Sequence, residues 1–183
     1  MNQSAPQDTL NKHSESSLDR LVKGHVRIWE HSKNGFGKLI LDKDNLITKE
    51  GASIAAAALA GVAGAGITHM YIGYTTSGST TVTPTTSDTV ASFTNTLALP
   101  IAFAPTMGST SGYTNNIVYF TAYLTGEDLT RVTSLKHGDQ INSLGLVNKT
   151  GLITKLFSRL AVTSNITYAS DLAITWGITF SAV

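Results

Sequence analysis

The chain has 183 residues, a formal net charge of +1, 42% hydrophobic and 14% charged residues, and no cysteine. That length suits one domain, or one domain plus an arm. The charged share lies well below the usual ~25% and is made up by Thr, Ser and Gly. Near-neutrality gives no general attraction to nucleic acid or to an anionic membrane. The missing cysteines exclude disulfides and thiolate metal sites.

Met1 to Arg20 (MNQSAPQDTLNKHSESSLDR) mixes Gln, Ser, Asn, Asp and Lys with one Pro and few apolar residues. Such a segment cannot offset its ordering entropy by itself. It reads as an extended N-terminal arm, either without fixed structure or ordered against a neighbouring subunit. No apolar leader is read in it, which points to synthesis in a cytoplasm.

Residues 21–183 read as one β domain. Val22, Gly24, Val26 and Ile28 alternate with Lys23, His25, Arg27 and Trp29, the pattern of a half-exposed strand. Asn34-Gly35 is a hairpin turn signal, Lys38–Leu41 the returning strand, and Asp42–Asn45 a closing turn. Thr48 is placed to cap a helix, with Glu50 near the positive end of its dipole. Ser53–Leu59 (SIAAAAL) is strong helix former, stopped by Gly61, Gly64 and Gly66. These glycines follow a helix and precede a strand, the reverse of a dinucleotide loop, so they read as caps and linkers.

Ile67–Tyr74 is the next expected strand, and Thr75–Ser87 a Thr/Ser loop. Asp88 is the only Asp, Glu, Lys or Arg between Gly51 and Gly126. A middle segment so poor in charge predicts an exterior covered by other subunits, or a hydroxyl-rich surface that needs no charge. Leu97–Phe103 is an edge strand because of Pro100, Pro105–Thr114 a loop, Asn116–Leu124 a strand, and Gly126–Gly138 a charged loop. Ile141–Val147 and Leu152–Val162 make a hairpin about a turn at Asn148–Gly151. In the last strand Leu172, Ile174, Trp176, Ile178 and Phe180 share one face, opposite Ala173, Thr175, Gly177, Thr179 and Ser181. The sum is roughly eight short strands and one helix. The expected fold is mainly β: an antiparallel β-sandwich of jelly-roll kind, with one short Ala-rich helix and an N-terminal arm.

Chemistry-bearing motifs are sparse. The five histidines are scattered, with no metal-ligand spacing. His69 stands alone on its strand and reads as structural. No nucleophile elbow or paired carboxylates appear, so no enzyme activity, metal or cofactor is expected. Asn148-Lys149-Thr150 and Asn165-Ile166-Thr167 match the glycosylation pattern but read as turn asparagines. Trp29, Tyr113 and Tyr123 are aromatics suited either to packing between sheets or subunits or to stacking on sugars. With Leu10 and Leu18 of the arm and Leu21 just after it, they form the candidate partner-binding set.

The order of several short phrases resembles that of small accessory virion proteins of tailed bacteriophages. These are Asp44-Asn45-Leu46-Ile47-Thr48, then Gly51 and a small-residue helix, Met70-Tyr71-Ile72-Gly73-Tyr74, and Thr85-Thr86-Ser87-Asp88-Thr89. Ile141-Asn142-Ser143-Leu144-Gly145-Leu146, Leu156-Phe157-Ser158-Arg159 and the strand Ile174–Phe180 follow. The resemblance covers Val22 to Phe180. It implies a structural subunit without cofactor or substrate, in the virion. One placement is a capsid decoration (cement) protein docked through its arm; another is a tail, baseplate or fibre-attachment protein. A carbohydrate-binding module is a separate alternative. The implied partners are other copies of the chain, as a homo-oligomer and first of all a trimer, and the major capsid protein or tail proteins. Neither nucleic acid nor membrane is among them.

Overall fold

The computed structural model describes residues 22–31, 37–75, 81–101, 112–114, 116–124, 140–162 and 171–180. The expected arm, the Asn34-Gly35 turn, the charged loop after Leu124 and Asn165 lie outside them. The described chain is mainly β with one helix, as the alternation predicts. Its strands are β1 (Val22–His31), β2 (Gly37–Ile47), β3 (His69–Thr75), β4 (Thr96–Pro100) and β5 (Gly112–Thr114), then β6 (Ile117–Leu124), β7 (Gln140–Thr150), β8 (Ile153–Ala161) and β9 (Asp171–Phe180). The helix, α1, is Lys49–Leu59.

All ladders are antiparallel, in the order β4-β3-β7-β8-β2-β1-β9-β6-β5. β4 returns beside β6, so the sheet nearly closes into a barrel. Two leaves can be distinguished. β2 and β8 pair only through Leu46 with Arg159 and Ile47 with Ser158. β1, β9 and β6 lie on one side of this joint, and β8, β7 and β3 on the other.

β9 organises the first leaf. It pairs with β1 along its whole length and with β6 from Leu172 to Thr179. Leu172, Ile174, Trp176 and Ile178 point inward and are buried, with Val26 and Ile28 of β1 and Phe120, Ala122 and Leu124 of β6 beside them. Leu144, Leu146 and Leu160 fill the barrel from the other leaf. Each such side chain stabilises by roughly 1.5–3 kcal/mol through burial.

The second leaf is buried on both faces. α1 packs on β8, and Gly51 comes so close that a Cβ there would collide with the carbonyl oxygen of Phe157. Thr48 caps α1 as expected, its hydroxyl oxygen accepting from Gly51 N–H at 2.9 Å. The same hydroxyl donates to the carbonyl of Leu156 at 2.5 Å, which ties the helix start to β8. Glu50 reaches β8 as well, accepting from Leu156 N–H at 2.9 Å. Residues 81–95, with a 3₁₀ turn at Val90–Ser92, cross the outside of this leaf. Phe93 there packs with Val147 and Leu156 and meets Tyr71 edge-on at 6.1 Å. Part of the charge deficit of the middle segment therefore has an intramolecular cause: Met70, Ile72 and Tyr74 of β3 are buried, and Phe93 of the strap is buried against Val147, Leu156 and Tyr71.

Three local expectations are corrected. Asp42–Asn45 is strand and not turn, because Asp42 and Asp44 are held by β1 side chains (below). Gly112–Thr114, expected as loop, pairs with β6 as a short strand. The hairpin between β7 and β8 turns at Gly151–Leu152, and Asn148–Thr150 remains in the ladder. Asn148 is consequently not a turn asparagine. Its buried amide donates to the carbonyls of Gly64 and Gly66 at 2.6 and 2.5 Å and holds the loop after α1. β4 does lie at a sheet edge, as Pro100 requires.

Candidate docking face

The outer face of the first leaf has no element of the described chain packed across it, and the register there arranges its side chains in rows. In one row Leu39 of β2, Trp29 of β1, Ala173 of β9 and Tyr123 of β6 stand side by side. Trp29 and Tyr123 are 36% and 47% exposed, yet Ala173 between them is buried. Their backbones are two strands apart, about 10 Å. The next row is Asp42, Arg27, Thr175 and Thr121, and the one after is Asp44, His25, Gly177 and Tyr119. The Tyr119 ring lies against Gly177, where a Cβ would touch it at 3.4 Å.

Trp29 and Tyr123 of the sequence-derived set are thus brought together, flanking one small residue. The register does not bring Tyr113 of β5 into this row: its backbone pairs with Val118, which belongs to the inward side of β6. Leu10, Leu18 and Leu21 lie outside the described residues. Tyr119 and Leu39 belong to the same exposed face and were not singled out from sequence. For Tyr119 the signal was available, since it shares the parity of Thr121 and Tyr123; Leu39 shares the parity of buried Leu41 and reaches the outer face only through the register shift beside Trp29.

Beside the aromatic row stands a charged clasp. His25 Nδ1 is 2.7 Å from Asp44 Oδ1, and its Nε2 hydrogen-bonds Asp42. Arg27 Nε donates to the other oxygen of Asp42 at 3.3 Å. A carboxylate only accepts, so both ring nitrogens donate and the clasp is that of an imidazolium. The Asp44 hydrogen bond, with Asp42 adding to it against burial, raises the His25 pKa; the His25 hydrogen bond, then the charges of His25 and Arg27, lower that of Asp42. These are structural pairings, with both imidazole nitrogens occupied.

Elsewhere the polar groups also bind one another. His69 Nδ1 lies 2.9 Å from the Thr68 hydroxyl, and burial, then the charge of Lys149, keeps the ring below its ordinary pKa. Asp88 is bound by Arg159 and Thr85. Among the described residues no group of three His, Asp or Glu side chains could hold a metal ion. What this face offers among the described residues is stacking area with hydroxyls and charges at its margin.

Comparison with protein-family models, with curated proteins and with solved structures finds no match.

Proposed function

We propose that this chain is a structural virion protein of a tailed bacteriophage, a capsid decoration subunit that docks through its N-terminal arm. The observation that carries this reading is the contrast between the two outer faces. One carries α1 and the 81–95 strap; across the other no element of the described residues packs, and it carries Leu39, Trp29, Tyr119 and Tyr123. Exposed aromatics gathered on one face are the mark of a contact surface. The barrel between the faces is packed with side chains, which suits a subunit that holds on to something.

The reading also draws on the resemblance stated above, whose phrases lie close together in this fold. Leu46 pairs with Arg159 and Ile47 with Ser158, Thr48 bonds the carbonyls of Leu156 and Phe157, and Arg159 holds Asp88. Gly145 and Leu146 pair with Arg159 and Ser158. Several of these phrases, distant in sequence, meet at one joint of this chain. In this reading the two leaves form a jelly-roll-like sandwich, the arm leads into β1, and the partners are the major capsid protein and other copies of the chain, as a trimer. Tail, baseplate or fibre attachment would use the same surfaces.

A second reading, a carbohydrate-binding module, draws on one observation: Trp29 and Tyr123 flank Ala173 on the outer sheet face, as a sugar-stacking pair would. Co-sedimentation with phage particles separates the readings. Full-length protein is expected to pellet with particles, and protein lacking residues 1–20, still folded by circular dichroism, is expected to stay in the supernatant. Pelleting of the truncated protein would remove the arm as anchor. Release of the full-length protein by soluble oligosaccharide would put the sugar-binding reading first.

A further inference from the structure

The end of the molecule at the β7–β8 turn is apolar where a soluble hairpin is usually polar. Leu152 is fully exposed and Ile153 is mostly so. The loop after α1 is fastened to the same end, since Asn148 and Thr150 hydrogen-bond the carbonyls of Gly64 and Gly66. Val62, two residues before the fastened Gly64, is largely exposed as well. Gly151 supplies the positive φ of 61° that lets the chain reverse within two residues and present Leu152 outward.

Behind this tip stand two cations. Lys149 pairs with Thr154, and Lys155 with Asn148. These are successive rungs, so the two lysines project from opposite faces of the ribbon. Both are exposed. The sequence from Gln140 to Val162 contains Lys149, Lys155 and Arg159 and no acidic residue. Glu50 reaches this ribbon through its bond to Leu156 N–H and is engaged there.

We propose that the β7–β8 tip is a membrane-surface contact that inserts Leu152 and Ile153 into the interfacial region of an anionic lipid bilayer. Lys149 and Lys155 meet the headgroups. Two observations select this occupant. The charge fits: an anionic surface complements lysines on both faces of the ribbon, whereas the same tip of a second copy would set lysine against lysine. The reach fits as well. At ~3.3 Å per residue the turn extends about 7–10 Å beyond the lysines, the depth to which interfacial segments bury their apolar side, ~5–10 Å. The near-neutral total charge does not bear on this, because attraction to a surface depends on the charges within a Debye length of it. The inference is independent of the virion reading and is measured separately from it.

The test is flotation of the full-length protein with vesicles of phosphatidylcholine alone, and with vesicles of phosphatidylcholine and phosphatidylglycerol in equal parts. The protein is expected to float with the anionic vesicles and to be released by high salt. The double variant Leu152→Ser/Ile153→Ser, at exposed positions, is expected to partition about tenfold more weakly. Lys149→Gln/Lys155→Gln should lose a similar factor on anionic vesicles only. Failure of the unmodified protein to float with anionic vesicles would overturn the proposal, as would equal flotation of either double variant. So would an oligomer that Leu152→Ser/Ile153→Ser dissolves without any vesicle binding, since the tip would then be a subunit contact.

Discussion

Arg159 Nη1 lies 2.9 Å from Asp88 Oδ2, and this pair, 71 residues apart in sequence, pins the strap to the outside of β8. Both side chains are nearly buried. Arg159 Nη2 donates to the Ser92 carbonyl at 2.8 Å, and its guanidinium lies over the Phe93 ring at 4.6 Å. Asp88 also accepts from the Thr85 hydroxyl at 2.8 Å and from Thr85 N–H at 3.2 Å. The lone carboxylate of the middle segment is thus a fastening between the strap and the leaf beneath it.

Removing that carboxylate leaves a buried guanidinium without its counter-ion. Asp88→Ala is expected to cost ~3–5 kcal/mol at neutral pH, measured by urea denaturation. Burial pushes the Asp88 carboxyl up, but hydrogen bonds from Thr85 and Arg159 outweigh it and hold the pKa below the ordinary value. Its contribution is therefore present above the unfolded value, ~3.9, and is lost as pH falls through the lower folded one. The gap between the native protein and Asp88→Ala should narrow in acid. A gap independent of pH would contradict the pairing.

Gly51→Ala tests the seating of α1. By helix propensity alone alanine should stabilise by about 1 kcal/mol. Its methyl would meet the Phe157 carbonyl oxygen, which is backbone and cannot swing away. A net loss of ~1–3 kcal/mol is expected; a gain in stability would show that α1 does not rest on β8 as described.

Trp176 is fully buried between Val26 and Phe120. Trp176→Ala should cost ~3–5 kcal/mol as a core cavity. Among the described residues no acceptor reaches its Nε1, so Trp176→Phe removes an unpaired donor along with some volume. The phenylalanine variant should lie well under half of the alanine loss. Equal losses would mean that the indole N–H is satisfied after all.

The His25 clasp gives the first leaf a pH window. The raised His25 pKa adds stability that is complete below the unfolded value, ~6.5, and disappears as pH rises through the folded one. The lowered Asp42 pKa adds stability present above its unfolded value, ~3.9, and lost as pH falls through the folded one. The difference in stability between the native protein and His25→Gln should peak between these limits and fade as pH rises through the raised His25 value and the imidazolium deprotonates. Being half exposed, the clasp is screened by salt. A difference that grows with rising pH would contradict the assignment.

Strand alternation was legible because the first leaf is buried on one face only. Val26, Ile28, Phe120, Ala122, Ile174 and Trp176 fall inward by parity alone. The second leaf was harder, since β7 and β8 are covered on both faces and their runs lose the period of two. Asp42 and Asp44 resemble turn residues in isolation; only the cross-strand position of His25 and Arg27 shows why they sit in a strand. The exposed pair Trp29 and Tyr123 was visible as two aromatics, and not as neighbours. Their meeting depends on β9 lying between β1 and β6, which no local pattern encodes.

Quantitative mass spectrometry of purified particles of a phage whose genome encodes this chain tests the central claim most directly. The account predicts the chain in the particle in hundreds of copies, in fixed proportion to the major capsid protein. A handful of copies in multiples of three or six would move it to the tail. Its absence from the particle would contradict a virion role altogether.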